Sequence, residues 1–496
     1  MNIDPRSPVI VGVGQYVQRA DTIADALEPV ALMERAVIAA AGDAGLDGPP
    51  PADTVRVVSQ LSWRYGNTPR FLAERLGIDA RRLEYTTMGG NSPQSLVNAT
   101  AFDVRSGAVD IAVLAGGEAT RTRMRARKAG VELDWPKGPE GDEPTIIGDD
   151  LEMNLQAEID RGIYLPVQIY PMFETALRAA AGRSVEAHRA HLGRLWAGLS
   201  EVAAANPYAW TRDAKSADEI TTVSETNRMI GLPYPKLMNS NNAVDMSAAV
   251  IMCSVEAARR LGIAEDRWVF PHAGTDCHEH NYVSHRDAFD RTPAVEIGGR
   301  RALELAGVGI DDISVIDLYS CFPAAVQLGA ASLGIDTATR QWSRTGGLPF
   351  AGGPWNNYVM HAIATVVADL RERPGEFGLV WANGGYATKH SFGVYSTVAP
   401  GDAGFRHDKP QDAIDALPRR ELALPADAAG PATVEAYTVM FSRDGAPERA
   451  IASCLLADGR RAWGTSDHAD VTAAMTDGEW VGRSVTLSST GDLEPS

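Results

Sequence analysis

Two glycine-rich turns, each leading into a helix-forming stretch, are the places in this sequence best suited to stabilise developing negative charge. The first is Thr86-Thr-Met-Gly-Gly-Asn-Ser-Pro93. Ser92 is suited to cap the free N–H groups of the following helix, with Pro93 at its first position. That helix is expected to end near Ser106-Gly107, and Asp110 to Ala115 then reads as a buried strand. Such a unit aims backbone N–H groups and the positive helix end at whatever lies over the turn, which suits an oxyanion or a nucleophile. A second concentration of chemistry runs from Arg121 to Lys128, where Arg121, Arg123, Arg125, Arg127 and Lys128 put five cationic side chains in eight residues. A third is His272, Cys277, His278, His280 and His285. These invite a zinc reading, but no Cys-x-x-Cys or His-Glu-x-x-His completes a ligand set, so a polar loop bordering the pocket is expected there and no metal.

The elements that must hold the glycine turns occur twice. Each copy runs Gly-Gly, a helix of small and apolar residues, a turn, an apolar strand, then Gly-Gly again. The first goes from Gly89-Gly90 to Gly116-Gly117, the second from Gly352-Gly353 to Gly384-Gly385. The preceding segments match as well. Pro8–Gly14, Leu32–Gly45 and Val55–Leu61 read as strand, helix, strand, and Trp268–Ala273, Ala294–Gly307 and Ser314–Leu318 repeat that order. A duplicated α/β half-domain accounts for the pattern.

Two such halves, a turn before a helix in each and a long insertion in the first resemble the thiolase superfamily. The resemblance covers roughly Pro8 to Ala399. It is nearest to the sterol-carrier-protein-type thiolases and actinobacterial acetyl-CoA acetyltransferase homologues. It implies an α/β fold with a duplicated, five-layered αβαβα core. The division expected is 1–118 with 237–263 for the first half, 119–236 for a loop-domain insertion and 264–400 for the second half. Residues 401–431 read as a linker, and 432–496 as an added β-rich domain, with a small OB-like barrel or a sheet as its form.

The resemblance also locates the four catalytic loops, and most of their chemistry is gone. The nucleophilic cysteine position falls on Gly90, within one residue. The Asn-Glu-Ala-Phe or His-Asp-Cys-Phe loop reads Tyr319-Ser320-Cys321-Phe322, so Tyr319 replaces a residue that helps build the oxyanion hole. Gly-His-Pro has become Gly352-Gly353-Pro354, and Cys-x-Gly-Gly has become Ala382-Asn383-Gly384-Gly385. Glycine at 90 and 353 keeps a backbone N–H but can be neither acylated nor used to shuttle a proton. Asn91, Ser92, Ser320, Phe322, Asn383, Gly384 and Gly385 are expected to border the pocket. Cys321 could carry an acyl group if activated, or be a buried thiol beside Phe322. His390, just past the fourth loop, could serve as base or oxyanion donor, or be structural.

No cofactor is expected beyond coenzyme A or an acyl-CoA as ligand. The Arg121–Lys128 cluster is the counterpart expected for CoA phosphates, the alternative being a solvated face neutralised by the acidic stretch Glu140 to Glu152. A formal net charge of -18 argues against nucleic acid and anionic membrane surfaces as partners. No apolar run reaches the length of a membrane span, the N-terminus lacks a signal-peptide pattern, and four scattered cysteines suit the cytoplasm. The resemblance implies a homodimer, with a monomer as the alternative. Three functions stay open: a CoA-thioester-binding relative in lipid or acyl-CoA metabolism without ordinary thiolase activity, an acyltransferase rebuilt on Cys321 and His390, and a scaffold whose β-rich domain recruits a partner.

Overall fold

Two sheets of matching topology face each other across a pair of helices. In the computed structural model, which describes residues 3–139, 141 and 143–495, the first sheet runs Pro8–Val17, Asp245–Ser254, Ile111–Ala119, Thr54–Val57, Arg82–Thr86 and Thr145–Ile147. Glu140, which opens the acidic stretch, lies outside the described residues, as do Met1 and Asn2. The second sheet runs Phe270–His278, Lys389–Ser396, Phe377–Gly384 and Ile313–Leu318, with Arg406–Asp408 added beside Phe270–His278. Strand directions repeat too. The first two pairings of each sheet are antiparallel and the third is parallel.

Helices Ser92–Ser106 and Tyr358–Arg371 pack on each other and on both sheets. Pro29–Asp43 covers the outer face of the first sheet and Pro293–Ala306 that of the second. This gives the five layers and the duplication. Where the first half has Arg82–Thr86, the second has an irregular segment, with the Leu318 N–H on the Trp342 carbonyl at 2.9 Å. Asp317 Oδ2 holds that segment by accepting from the Arg344 N–H at 2.8 Å and the Thr345 N–H at 3.1 Å.

Local chemistry sets the helix ends. Ser92–Ser106 stops at Gly107, whose φ of 82° is open to glycine at little cost. Its start departs from expectation. Asn91, not Ser92, is the N-cap and makes no side-chain cap, while Ser92 Oγ donates back to the Thr87 carbonyl at 2.9 Å. The insertion carries two longer helices, Pro166–Ala180 and Val185–Ala205, parted by a turn through Gly182.

The segment after residue 400 is tied down throughout. Arg406–Asp408 pairs in parallel with the second sheet, and Leu422 bridges Arg461. Beyond it, strands Arg461–Ser466, Pro447–Leu455, Gly430–Phe441, Ser484–Leu487 and Leu493–Pro495 follow in that order, and a bridge from Thr465 to Asp492 brings the last region back to the first strand. This domain docks on the insertion, where Thr175 Oγ1 donates to the Tyr437 carbonyl at 2.9 Å and accepts from its N–H at 3.0 Å. It also docks on the second half. Arg461 is fully buried, grips both carboxylate oxygens of Glu435 at 2.9 Å and donates to the Ser284 carbonyl at 2.8 Å. Among the described residues, no helix is long and apolar enough to cross a membrane.

Candidate functional site

The loops that the sequence aligns with catalytic loops do meet, but around a plug of aromatic rings. A Cβ built on Gly90 would stand 2.4 Å from the Tyr319 hydroxyl and 2.4 Å from the Asn383 carbonyl oxygen. Real Cβ atoms do not come that close to backbone, so the volume where a side chain would start at position 90 is already taken. Tyr319 packs edge-on against Tyr358, with centroids 5.6 Å apart. Phe322 stacks on Tyr170 at 4.6 Å and on Tyr234 at 5.9 Å. The Tyr170 hydroxyl accepts from Asn383 Nδ2 at 2.9 Å and from the Ala387 N–H at 2.8 Å, and it donates to the Gly385 carbonyl at 3.2 Å.

Cys321 sits inside this aromatic group. Burial pushes its thiol up to about 12, although Tyr170 and nearby backbone N–H groups act in the opposite sense. Ser320 beside it is buried as well. Position 353 is equally closed as a donor, because the Gly353 N–H is spent on the Asn241 carbonyl at 2.9 Å. The turn at Gly89 is held from across the halves: its N–H donates to Asn356 Oδ1 at 3.1 Å, and Asn356 Nδ2 donates to the Ser59 carbonyl at 2.9 Å.

His390 faces a different space. It lies on the strand Lys389–Ser396, where its register partners are Asn383 and Cys277. Trp381 Nε1 approaches His390 Nδ1 at 3.3 Å; an indole N–H can only donate, so the imidazole proton belongs on Nε2. Burial, then the nearby Arg286, pulls this histidine down to about 3, so it is neutral at physiological pH. Among the described residues no hydrogen bond joins Cys321 to His390. A nucleophile–base pair needs that contact.

Asn91, Ser92 and His390 share the wall of a cavity of about 290 Å³ with Asp276, Lys389 and His407. His407 Nε2 is 2.7 Å from Asp276 Oδ2, which also accepts from Asn98 Nδ2 at 3.2 Å. Burial alone would raise Asp276, but the His407 contact and further hydroxyl donors outweigh it and hold the carboxyl below its usual range. Lys389 is lowered by burial and donates to the Met88 carbonyl. Gly384 lies against the same turn, where its Cβ would meet Asn91 Oδ1 at 2.5 Å. Among side chains here, Asn356 and His407 escaped the sequence reading and carry no signal in it. Asp276 lies in the histidine-bearing stretch Pro271–Phe289, a polar segment suited to border a pocket, and Tyr170 in the apolar stretch Tyr164–Phe173, suited to line a groove or to pack as core.

The cationic residues lie on one helix, Thr120–Ala129, and point several ways. Arg121 Nη1 donates to the Ala20 carbonyl at 3.3 Å and stacks over Trp210, Arg123 Nη1 donates to the Leu61 carbonyl at 2.9 Å, and Arg125 Nη1 to the Ala20 carbonyl at 2.9 Å. Arg127 and Lys128 are exposed. Three of the four histidines weighed as metal ligands go to separate carbonyls, His272 to Val398 at 2.7 Å, His278 to Glu279 at 2.7 Å and His280 to Pro418 at 3.3 Å, and His285 packs edge-on against Tyr282. Among the described residues no group of three or more His, Cys, Asp or Glu is arranged to hold a metal ion.

Comparison with known proteins places this geometry. A family model described as the thiolase-like protein type 1 additional C-terminal domain matches residues 410–492, starting inside the segment read as a linker. A crystal structure of a monomeric SCP2-thiolase like protein type 1 (STLP1) from Mycobacterium smegmatis is 33% identical and covers 100% of both chains, with a TM-score of 0.84. Human mitochondrial 3-ketoacyl-CoA thiolase in complex with CoA, at 16% identity, covers 79% of this chain and 99% of its own with a TM-score of 0.56, a likeness of fold alone. The benzoylsuccinyl-CoA thiolase subunit BbsB of Thauera aromatica is 26% identical over 130 residues, 26% of this chain, and the match spans only 32% of that curated relative's length. With both its core and its added domain matched, the chain belongs to the SCP2-thiolase-like proteins of type 1 within the thiolase superfamily.

Proposed function

We propose that this protein binds a CoA thioester without turning it over as a thiolase, in a cytoplasmic role in acyl-CoA or lipid metabolism. The observation that carries the reading is the occupied space at Gly90, where the Tyr319 hydroxyl and the Asn383 carbonyl leave no room for a nucleophilic side chain. An acyltransferase rebuilt on Cys321 and His390 is disfavoured by the same region, since the thiol is pushed up and the imidazole has another partner. A free recruiting domain is disfavoured by the buried anchor at Arg461. CoA as ligand is supported by the human relative, whose structure is a complex with CoA, by the benzoylsuccinyl-CoA thiolase subunit of Thauera aromatica, and by the exposed Arg123, Arg127 and Lys128 on one helix. A single subunit is supported by the Thr145–Ile147 strand, which pairs with Arg82–Thr86 and occupies the edge otherwise open to a partner.

The test couples turnover to binding. Acetoacetyl-CoA with CoA, followed by loss of enolate absorbance at high protein concentration, is expected to show no turnover. Calorimetry with CoA is expected to show binding that weakens, with a flatter salt dependence, in Arg123→Ala/Arg127→Ala. Turnover abolished by Cys321→Ala would overturn the non-catalytic part, and absence of CoA binding would overturn the ligand.

A further inference from the structure

A second cavity, of about 220 Å³, opens between the two insertion helices and the added C-terminal domain. Its walls are largely apolar: Val185, Leu192, Val223, Met229, Leu232 and Met238. Its charged lining residues divide into Glu186, Arg189 and Asp477, which are exposed, and Glu174, Arg178 and His188, which are buried. Glu174 is fully buried and accepts from Tyr234 Oη, from Gln327 Nε2 at 2.7 Å and from His188 Nε2 at 2.6 Å. Three donors suit an ionised carboxylate, so His188 spends its Nε2 proton there. Among the described residues, His188 is 2% exposed with no partner for its Nδ1, and Arg178 is 6% exposed, its Nη1 paired with Glu479 and its Nη2 without a partner. Both residues line the cavity. Two buried nitrogens left without partners at an apolar cavity are costly, and the cost is relieved by a ligand that supplies the missing groups.

We infer that this cavity is a binding site for a small carboxylic acid with an apolar body. The acid binds with its proton: one carboxyl oxygen accepts from Arg178 Nη2, the O–H donates to His188 Nδ1, which the Nε2 proton on Glu174 leaves as an acceptor, and the hydrocarbon part meets the Leu192, Met229 and Leu232 wall. An arginine with one arm of its fork free is well matched to a carboxyl oxygen. An apolar cavity of about 150 Å³ holds benzene, so this one takes about nine non-hydrogen atoms. That excludes a long acyl chain and a nucleotide. Arg189 and the solvent-exposed Glu186 and Asp477 stand at the mouth, where water screens them. The site is made by two domains at once, because Tyr437, Thr476 and Gly478 close it from the C-terminal side. It is a cavity separate from the one lined by Asn91 and His390, with Tyr234 joining Glu174 on one side to Phe322 on the other.

The test is calorimetry and thermal unfolding of the full chain with hexanoate, with hexan-1-ol as the control lacking a carboxyl group, in the absence of CoA. Hexanoate is expected to bind one per chain and at least tenfold more tightly than hexan-1-ol. Binding is expected to fall at least tenfold in Arg178→Gln and in His188→Phe. Because either variant can disturb folding, Val223→Trp at the half-exposed mouth is tested alongside: it touches neither polar group and is expected to block hexanoate while leaving the unfolding temperature unchanged. Equal affinity for acid and alcohol, no binding of hexanoate to the unaltered protein, or undiminished binding in Val223→Trp would each overturn the assignment.

Discussion

The Tyr319 hydroxyl lies 2.4 Å from the point where a Cβ on Gly90 would stand, although 229 positions separate the two residues and they belong to opposite halves of the duplication. Glycine at 90 and tyrosine at 319 are therefore one substitution in structural terms. Gly90→Cys, the change that would restore a family nucleophile, is expected to destabilise the protein by about 1–3 kcal/mol through overpacking. Denaturant unfolding measures it. The double variant Gly90→Cys/Tyr319→Ala should recover only part of the loss, since the Asn383 carbonyl stays in place, and neither should turn over acetoacetyl-CoA. Unchanged stability in Gly90→Cys would refute the close contact.

Thiol chemistry should be silent in the folded chain. All four cysteines are buried, and with Cys321 pushed up to about 12 roughly one thiol in ten thousand is ionised at pH 8. A disulfide reagent such as dithionitrobenzoate is expected to release no fast equivalent from native protein and four in guanidinium. One fast equivalent lost in Cys321→Ser would show an activated site.

Acid stability carries a signature of His390. Burial holds it neutral down to about 3 in the fold, against 6.5 for a free imidazole, so below pH 6.5 the unfolded chain binds the extra proton. Its contribution is complete above pH 6.5 and is lost as pH falls toward 3. Replacing it by asparagine, which keeps an acceptor for Trp381, should flatten the fall in stability by about 1.4 kcal/mol per pH unit between 6.5 and 4. Glu118 acts in the opposite sense. Burial raises it to about 7, so its contribution is full below pH 4.5 and is lost as pH rises through 7. Glu118→Gln should therefore steepen the loss on acidification. Urea midpoints at pH 7.5, 6 and 5 distinguish the two slopes.

Arg461 should be the costliest surface-distant residue of the added domain to truncate. Arg461→Ala leaves the Glu435 carboxylate with only the Ser453 hydroxyl and no counter-charge and takes the donor from the Ser284 carbonyl, and a loss of about 3–5 kcal/mol is expected. Adding Glu435→Leu to Arg461→Met should recover most of it. Thermal unfolding checks both, and a loss below 1 kcal/mol in Arg461→Ala would mean that the domain is held by other contacts.

The duplicated α/β fold was legible because apolar periodicity and paired glycines are local signals. What happens at the glycine turns was not, because it is decided across the chain. Tyr319 is visible as a changed residue, but its reach to Gly90 depends on how the two halves face each other. Lys389–Ser396 carries Lys, His and two Ser in eight residues and lacks the look of a central strand, yet the sheet buries it on both faces. His390 followed that strand into the interior. The Glu174–His188 contact joins two helices, and the sequence stretch holding them reads only as helix. Ser92 has the right identity and place for a cap, but the Thr87 carbonyl takes its hydroxyl.

The three-residue strand Thr145–Ile147 has a consequence out of proportion to its length. It lies parallel to Arg82–Thr86, and the Thr87 N–H continues the pairing to the Ile147 carbonyl at 3.1 Å. A sheet edge left bare is a template on which another chain can add a strand, the first step toward fibrils. Here the template is masked by the molecule's own insertion. On this side the first sheet therefore ends in a strand of three residues, too short to offer another chain much of a template.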